Sequence, residues 1–158
     1  MSKQELLDAC QKKVDNTGNV KVWPAEEVLA NYLIKNAHLF EGKDICELGA
    51  GKSGLAAIAL ALELKDKLGS ILISDGNEQC WDSIQNTLEL NRESIGEDNM
   101  KKIKVQQIVW EENMTPSEKK FDYIVIADCL FFRKFHKALE NTLAQMLNDS
   151  DLEGRVFI

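Results

Sequence analysis

The chain has 158 residues, 44% hydrophobic and 28% charged, which suits one soluble globular domain with a core of its own. Its formal net charge of −7 provides no long-range field to attract phosphate backbones, so no nucleic-acid partner is expected. It has no run of 18 apolar residues to cross a membrane, and MSKQELLDACQKK is too polar for a signal peptide.

Residues 1–20 form a polar segment, with a short helix predicted over Lys3–Lys13 and broken at DNTGN. The domain proper is expected over 21–158. Pro24 fits a first helical turn, and Val28, Leu29, Tyr32 and Leu33 fall on one face of a helix ending near Asn36. KDICEL is a short apolar strand leading into a glycine loop. GLAAIALALELKDKLG is a helix apolar on nearly all sides, which predicts burial. SILISD is a second strand. NEQCWDSIQNTLELN is a helix with Cys80, Trp81, Ile84 and Leu88 along one side. IKVQQIVW and FDYIVIAD are the third and fourth strands. KFHKALENTLAQML is an amphipathic helix with Phe135, Ala138, Leu139, Thr142, Leu143 and Met146 on its apolar face, and GRVFI starts another strand.

Strands alternating with helices, each strand nearly all apolar, imply an α/β, Rossmann-like fold: a mostly parallel sheet with helices on both faces. Ligands of such sheets bind beyond the carboxyl ends of the strands. That places Gly49–Gly54, Asp75–Asn77, Trp110–Glu111 and Ala127–Phe131 at the candidate site.

Cys46 and Cys129 lie in apolar runs, and Cys10, Cys46, Cys80 and Cys129 include no C-x-x-C pair. Buried thiols in a reducing compartment are expected, the cytoplasm and also the nucleus. His38 and His136 are far apart, and no metal site is expected.

The glycine loop admits three ligands. GKS at 51–53 ends like a nucleoside-triphosphate loop, but that motif needs glycine where Cys46 stands. Gly49-Ala50-Gly51-Lys52-Ser53-Gly54 does match G-x-G-x-x-G between a strand and a helix, with Asp75 24 residues after Gly51 to hold a ribose. That fits a nicotinamide dinucleotide or S-adenosylmethionine. Glu47, two residues before the first glycine, would repel a pyrophosphate and attract an ammonium and a sulfonium. Its alternative role is to cap loop amides.

ELGAGKSGL, SDGNE, VW at 109–110 and ADCLF, preceded by VWPAEEVLANYL, resemble the seven-strand class I methyltransferases that modify protein lysines. The likeness covers residues 20–158. It implies S-adenosyl-L-methionine as cofactor, a protein-lysine N-methyltransferase activity, and calmodulin as the substrate. It implies that Trp23 walls the cofactor pocket, that Glu47, Gly49, Ala50 and Gly51 line its methionine end, and that Asp75 holds the ribose. Trp110 would flank the adenine and Ala127 would offer a backbone contact. Asp128 and Phe131 occupy the D-x-x-F motif beside the acceptor lysine.

Structural roles compete with these: a staple for Trp23, core packing for Trp110 and Phe131, a turn cap for Asp128. Methyl transfer asks the protein mainly for orientation and proximity. Arg133, Lys134 and Lys137 form a local basic patch that would steer an acidic protein, or are simply a solvated helix start. A complete domain of this kind has seven strands and the fifth starts at RVFI. An incomplete domain lacking its last strands is therefore expected, with self-association through the edge carrying Val156 and Ile158. A non-catalytic cofactor-binding or scaffold fragment, and a methyltransferase of another protein or small molecule, remain as alternatives.

Overall fold

The computed structural model describes residues 20–115, 117, 119–131, 133–148 and 156–157. The helix expected at Lys3–Lys13, Cys10 and Ile158 lie outside the described residues. Five strands form one parallel sheet: β1 (Asp44–Leu48), β2 (Ser70–Asp75), β3 (Ile103–Gln107), β4 (Tyr123–Val125) and β5 (Val156–Phe157). Their order is β3-β2-β1-β4-β5, so the strand order reverses between β1 and β4.

The alternation of side chains divides the core in two. Ile45, Ile71, Ile73 and Val125 face one way, where they meet Leu33, Phe40, Ile58, Leu60 and Ile84. Cys46, Leu48, Leu72, Ile124 and Ile126 face the other way, towards Phe121, Leu139 and Met146. The first face is covered by α1 (Pro24–Lys35), α2 (Leu55–Leu64) and α3 (Glu78–Leu90). The second carries α6 (His136–Met146). Two single-turn helices, α4 (Arg92–Ile95) and α5 (Glu97–Met100), lead into β3.

Three expectations are adjusted. The buried face of α1 is Glu26, Leu29, Ala30 and Leu33, whereas Val28 is 69% and Tyr32 42% exposed. The third strand leaves the ladder after Gln107, because β2, its only partner among the described residues, ends at Asp75; Ile108 still donates its amide to the Asp75 carbonyl at 3.1 Å. The fourth strand is only three residues long, and its continuation at Ile126 donates to the Phe157 carbonyl at 2.9 Å. No helix among the described residues is long and apolar enough to cross a membrane.

Candidate active site

The loop after β1 turns through left-handed backbone at Gly49 (φ 70°), Gly51 (φ 59°) and Gly54 (φ 57°). At Gly54 this frees the chain to start α2 directly above the sheet. A Cβ there would lie 3.0 Å from Ile73 and 3.3 Å from Ile84. At Gly49 the reason is a neighbour: a Cβ would stand 2.8 Å from Cys129 Sγ and 3.3 Å from Trp110 Cζ2. The glycine loop, the tip after β3 and the tip after β4 therefore meet at one point. That point is the carboxyl end of the sheet, at the strand-order reversal where α/β sheets bind ligands.

Asp75, the last residue of β2, ties the next tip to the same loop. Its Oδ2 accepts from the Gly51 amide at 2.9 Å and its Oδ1 from the Asn77 amide at 2.8 Å. Asn77 in turn caps α3, its Oδ1 accepting from the Gln79 amide at 2.9 Å.

Glu47 alternates with Leu48 along β1 and so points to the α1–α2 face. It is 1% exposed, and its Oε2 accepts from the Ala57 amide in the first turn of α2 at 2.9 Å. Glu47 therefore does cap an amide, but one in the first turn of the helix and not one of the loop. Its Oε1 is equally buried and has no donor among the described residues. Burial, reinforced by the negative Glu26 beside it, pushes the Glu47 carboxyl well above the usual carboxylate range. Glu26, 6% exposed, reaches across from α1 to accept from the Ala56 amide at 3.0 Å. Sequence reasoning missed Glu26. The available signal was an acid at the i position of a face continued by Leu29, Ala30 and Leu33 at i+3, i+4 and i+7.

Trp110 is half-buried and meets Phe135 edge-on at 6.5 Å between ring centroids, besides covering Gly49. Ala127 packs against the α1–α3 core face. Cys129 is buried, and that burial, with Asp75, Glu26, Glu47 and Asp128 all close enough to act on it, pushes its thiol up to about 12. Asp128 is exposed and left-handed, φ 54°. Leu130 is 44% and Phe131 52% exposed on the same loop, whose Leu130 carbonyl lies 2.8 Å from His136 Nε2. Trp23 stands one residue before α1, 37% exposed, with Lys21 Nζ 4.7 Å above its ring; its carbonyl takes the Glu26 amide at 3.0 Å. The structure thus brings Glu47, Gly49, Ala50, Gly51, Asp75, Trp110 and Ala127 to one end of the sheet. Asp128 and Phe131 lie on the adjoining exposed loop, and Trp23 is joined to the group through the first turn of α1.

The donor set is acidic. Around a glycine loop it suits a ligand with ribose hydroxyls and a positive charge better than one with a pyrophosphate.

A family model described as lysine methyltransferase matches residues 1–156. The calmodulin-lysine N-methyltransferase of Arabidopsis thaliana is 36% identical over 145 residues, covering 91% of this chain and 46% of that protein. The diaminohydroxyphosphoribosylamino-pyrimidine deaminase of Schizosaccharomyces pombe is 26% identical over 150 residues, covering 90% of this chain and 34% of that protein. The chain spans less than half the length of both curated relatives. The crystal structure of an S-adenosylmethionine-dependent methyltransferase from Thiobacillus denitrificans, in complex with S-adenosyl-L-homocysteine, shares the fold. Its TM-score is 0.55 at 13% identity, over 94% of this chain and 52% of that one.

Proposed function

The chain belongs to the lysine methyltransferase family, and from that premise we propose that it carries the cofactor-binding part of an S-adenosyl-L-methionine-dependent protein-lysine N-methyltransferase acting on calmodulin. The observation that carries this is the acid-lined meeting of the β1, β2 and β4 tips, with Asp75 fastened to the Gly51 amide and Glu47 at the foot of the loop. The relative from Arabidopsis thaliana supports calmodulin as the substrate.

When bound, S-adenosyl-L-methionine supplies a methyl group on a sulfonium whose leaving thioether is neutral. Asp75 holds the ribose hydroxyls. Gly49, Ala50 and Gly51 let the backbone approach, Trp110 walls the adenine, Ala127 offers a backbone contact, and Trp23 closes the outer wall. Glu47 and the adjoining Glu26 together contribute negative charge towards the cationic end. Asp128 receives the incoming lysine ammonium and aims its nitrogen, and the proton it sheds passes to water. Phe131 walls the channel and, by keeping water out, favours the neutral amine that has the lone pair. Orientation of this kind is worth effective molarities on the order of 10⁵ M or more. The exposed Arg133, Lys134 and Lys137 steer the acidic substrate; Lys137 is held at 3.1 Å by Glu140 in a surface pair weak enough to open. The buried thiols of Cys46, Cys80 and Cys129 support a reducing compartment, cytoplasm and nucleus included. Pairing of two copies through β5, an outer strand among the described residues, is the accompanying proposal for the 158-residue polypeptide, to be read by sedimentation.

Thermal unfolding with S-adenosyl-L-homocysteine or NAD tests the cofactor, since a ligand of the native state raises the midpoint. A rise with S-adenosyl-L-homocysteine and none with NAD is expected; the reverse would overturn the assignment. Transfer of labelled methyl groups to calmodulin tests the substrate, using a form extended to the length of the relatives. An active extended form that leaves calmodulin unlabelled while labelling another protein would overturn that choice.

A further inference from the structure

Two successive amides of the first turn of α2 are taken by carboxylates from two different elements. Ala56 is bonded by Glu26 of α1 at 3.0 Å and Ala57 by Glu47 of β1 at 2.9 Å. Both side chains are more than nine-tenths buried, and the shared turn sets them side by side. With both ionised, Glu47 Oε1 would be a buried acceptor with no donor, against a second negative charge. Two contacting carboxylates in a medium of low dielectric cannot both ionise. One proton between them removes the repulsion and supplies the missing donor, while each keeps an oxygen for its own amide. Burial and the Glu26 charge both act to retain a proton on Glu47. Asp75 at the end of β2 also acts on Glu47, and Asp75, Glu26, Glu47 and Asp128 all act on Cys129 after β4, whereas Lys52 of the glycine loop acts on Cys80 of α3. Glu26, Glu47, Asp75 and Asp128 against the exposed Lys52 leave the site receptive to a cation.

We propose that Glu26 and Glu47 act as a single carboxyl pair holding one proton beneath the glycine loop, and that a ligand ammonium bound in that loop competes with the proton. This rests on the cofactor reading above and deepens it by adding Glu26 as a positioning residue. Competition follows from charge and needs no contact. A cation near the loop makes the second ionisation of the pair easier, so binding releases a proton; by linkage, affinity for the cationic ligand rises with pH while the pair titrates.

The experiment is calorimetric titration with S-adenosyl-L-homocysteine, which carries an amino-acid ammonium, and with 5′-methylthioadenosine, which does not. It is run from about pH 5 to about pH 7, below the ordinary range of an α-ammonium, on the 158-residue chain, Glu47→Gln and Glu26→Gln. Each Gln keeps an acceptor for its amide and donates to the remaining carboxylate without a titrating proton; if one variant fails to fold, the other serves. The expected result is a rise in S-adenosyl-L-homocysteine affinity of up to about tenfold per pH unit, the slope of one exchanged proton. That slope is lost in both variants, and 5′-methylthioadenosine shows none. Binding with equal slopes in all three proteins would overturn the pair and leave the proposed function standing. No binding of S-adenosyl-L-homocysteine at any pH would overturn the proposed function, and the competition with it.

A ligand-free arm reads the proton itself. A carboxyl whose proton affinity rises on folding stabilises the fold most below its unfolded value of about 4.5, and that contribution is lost as pH rises through the folded value. The unfolding midpoint should therefore fall with pH more steeply in the native chain than in Glu47→Gln. Identical profiles would overturn the shared proton.

Discussion

Gly49 is the residue on which the site is most sensitive. Its backbone is left-handed, and the volume of a methyl group is already taken by the Cys129 thiol and the Trp110 ring. Gly49→Ala should cost about 1–3 kcal/mol of stability through backbone strain and displaced neighbours. Urea unfolding checks the loss. Asp75 works by bonding instead. Asp75→Ala leaves the Gly51 and Asn77 amides without their acceptor, so the glycine loop and the start of α3 lose a common tie. The expected outcome is a folded protein whose melting temperature no longer responds to S-adenosyl-L-homocysteine. Both residues were legible in the sequence, because glycine spacing and an acid at the end of the next strand carry their meaning locally. Glu26 was not. Its role depends on α1 lying across the start of α2, and nothing within PAEEVLANYLIK announces that neighbour beyond one acid in register with Leu29 and Leu33. Cys129 was read as a buried thiol, correctly, but its place under Gly49 depends on β4 pairing beside β1.

Among the elements, the loop from β4 to α6 bears the proposed acceptor chemistry, and two pins hold it. Cys129 Sγ sits 3.8 Å from the Leu48 carbonyl, and His136 Nε2 lies 2.8 Å from the Leu130 carbonyl. On either side of Cys129, Asp128, Leu130 and Phe131 stay exposed. In a form extended to the relatives' length, Asp128→Ala should abolish methyl transfer to the substrate while cofactor affinity stays nearly unchanged. His136→Ala should lower transfer by loosening the same loop, again without weakening the cofactor. Parallel isotherms and methylation assays separate the two effects; equal loss of cofactor binding in either variant would place that residue in the cofactor pocket instead. Element by element, the regular structure was readable where it was long and periodic. β2 runs over SILISD as expected, and α3 and α6 agree within two residues at each end. The single turns α4 and α5 were not anticipated. They carry no apolar period and are set by Gly96 at φ 84° and by Arg92 bridging Glu89 and Glu97 at 2.8 and 3.0 Å. Strand ends were misjudged for a related reason: a ladder stops where its partner stops, and the partner's length lies elsewhere in the chain.

At the scale of the whole molecule, a net charge of −7 opposes approach of any acidic partner, so association must rely on a local field. Arg133→Glu combined with Lys137→Glu should slow association with calmodulin and flatten its salt dependence, leaving the melting temperature close to unchanged, as stopped-flow mixing and unfolding would show. The sheet order has a further consequence. Strands β1, β2 and β3 are consecutive in the chain and adjacent in the sheet, with α1, α2 and α3 on them, while β4, α6 and β5 come later and attach along one side of β1. The proposed ligand cleft, with Gly49 on the earlier portion and Cys129 on the later one, is therefore a seam between what the ribosome delivers sooner and what it delivers afterwards. During synthesis the earlier portion can collapse on itself, but the cleft exists only once the later portion has docked. A small molecule that touches both sides of that seam acts as an adhesive between them. It favours the docked arrangement by the free energy of its own binding, so a cell rich in the cofactor would hold newly made chains closed across the seam more firmly than a depleted one.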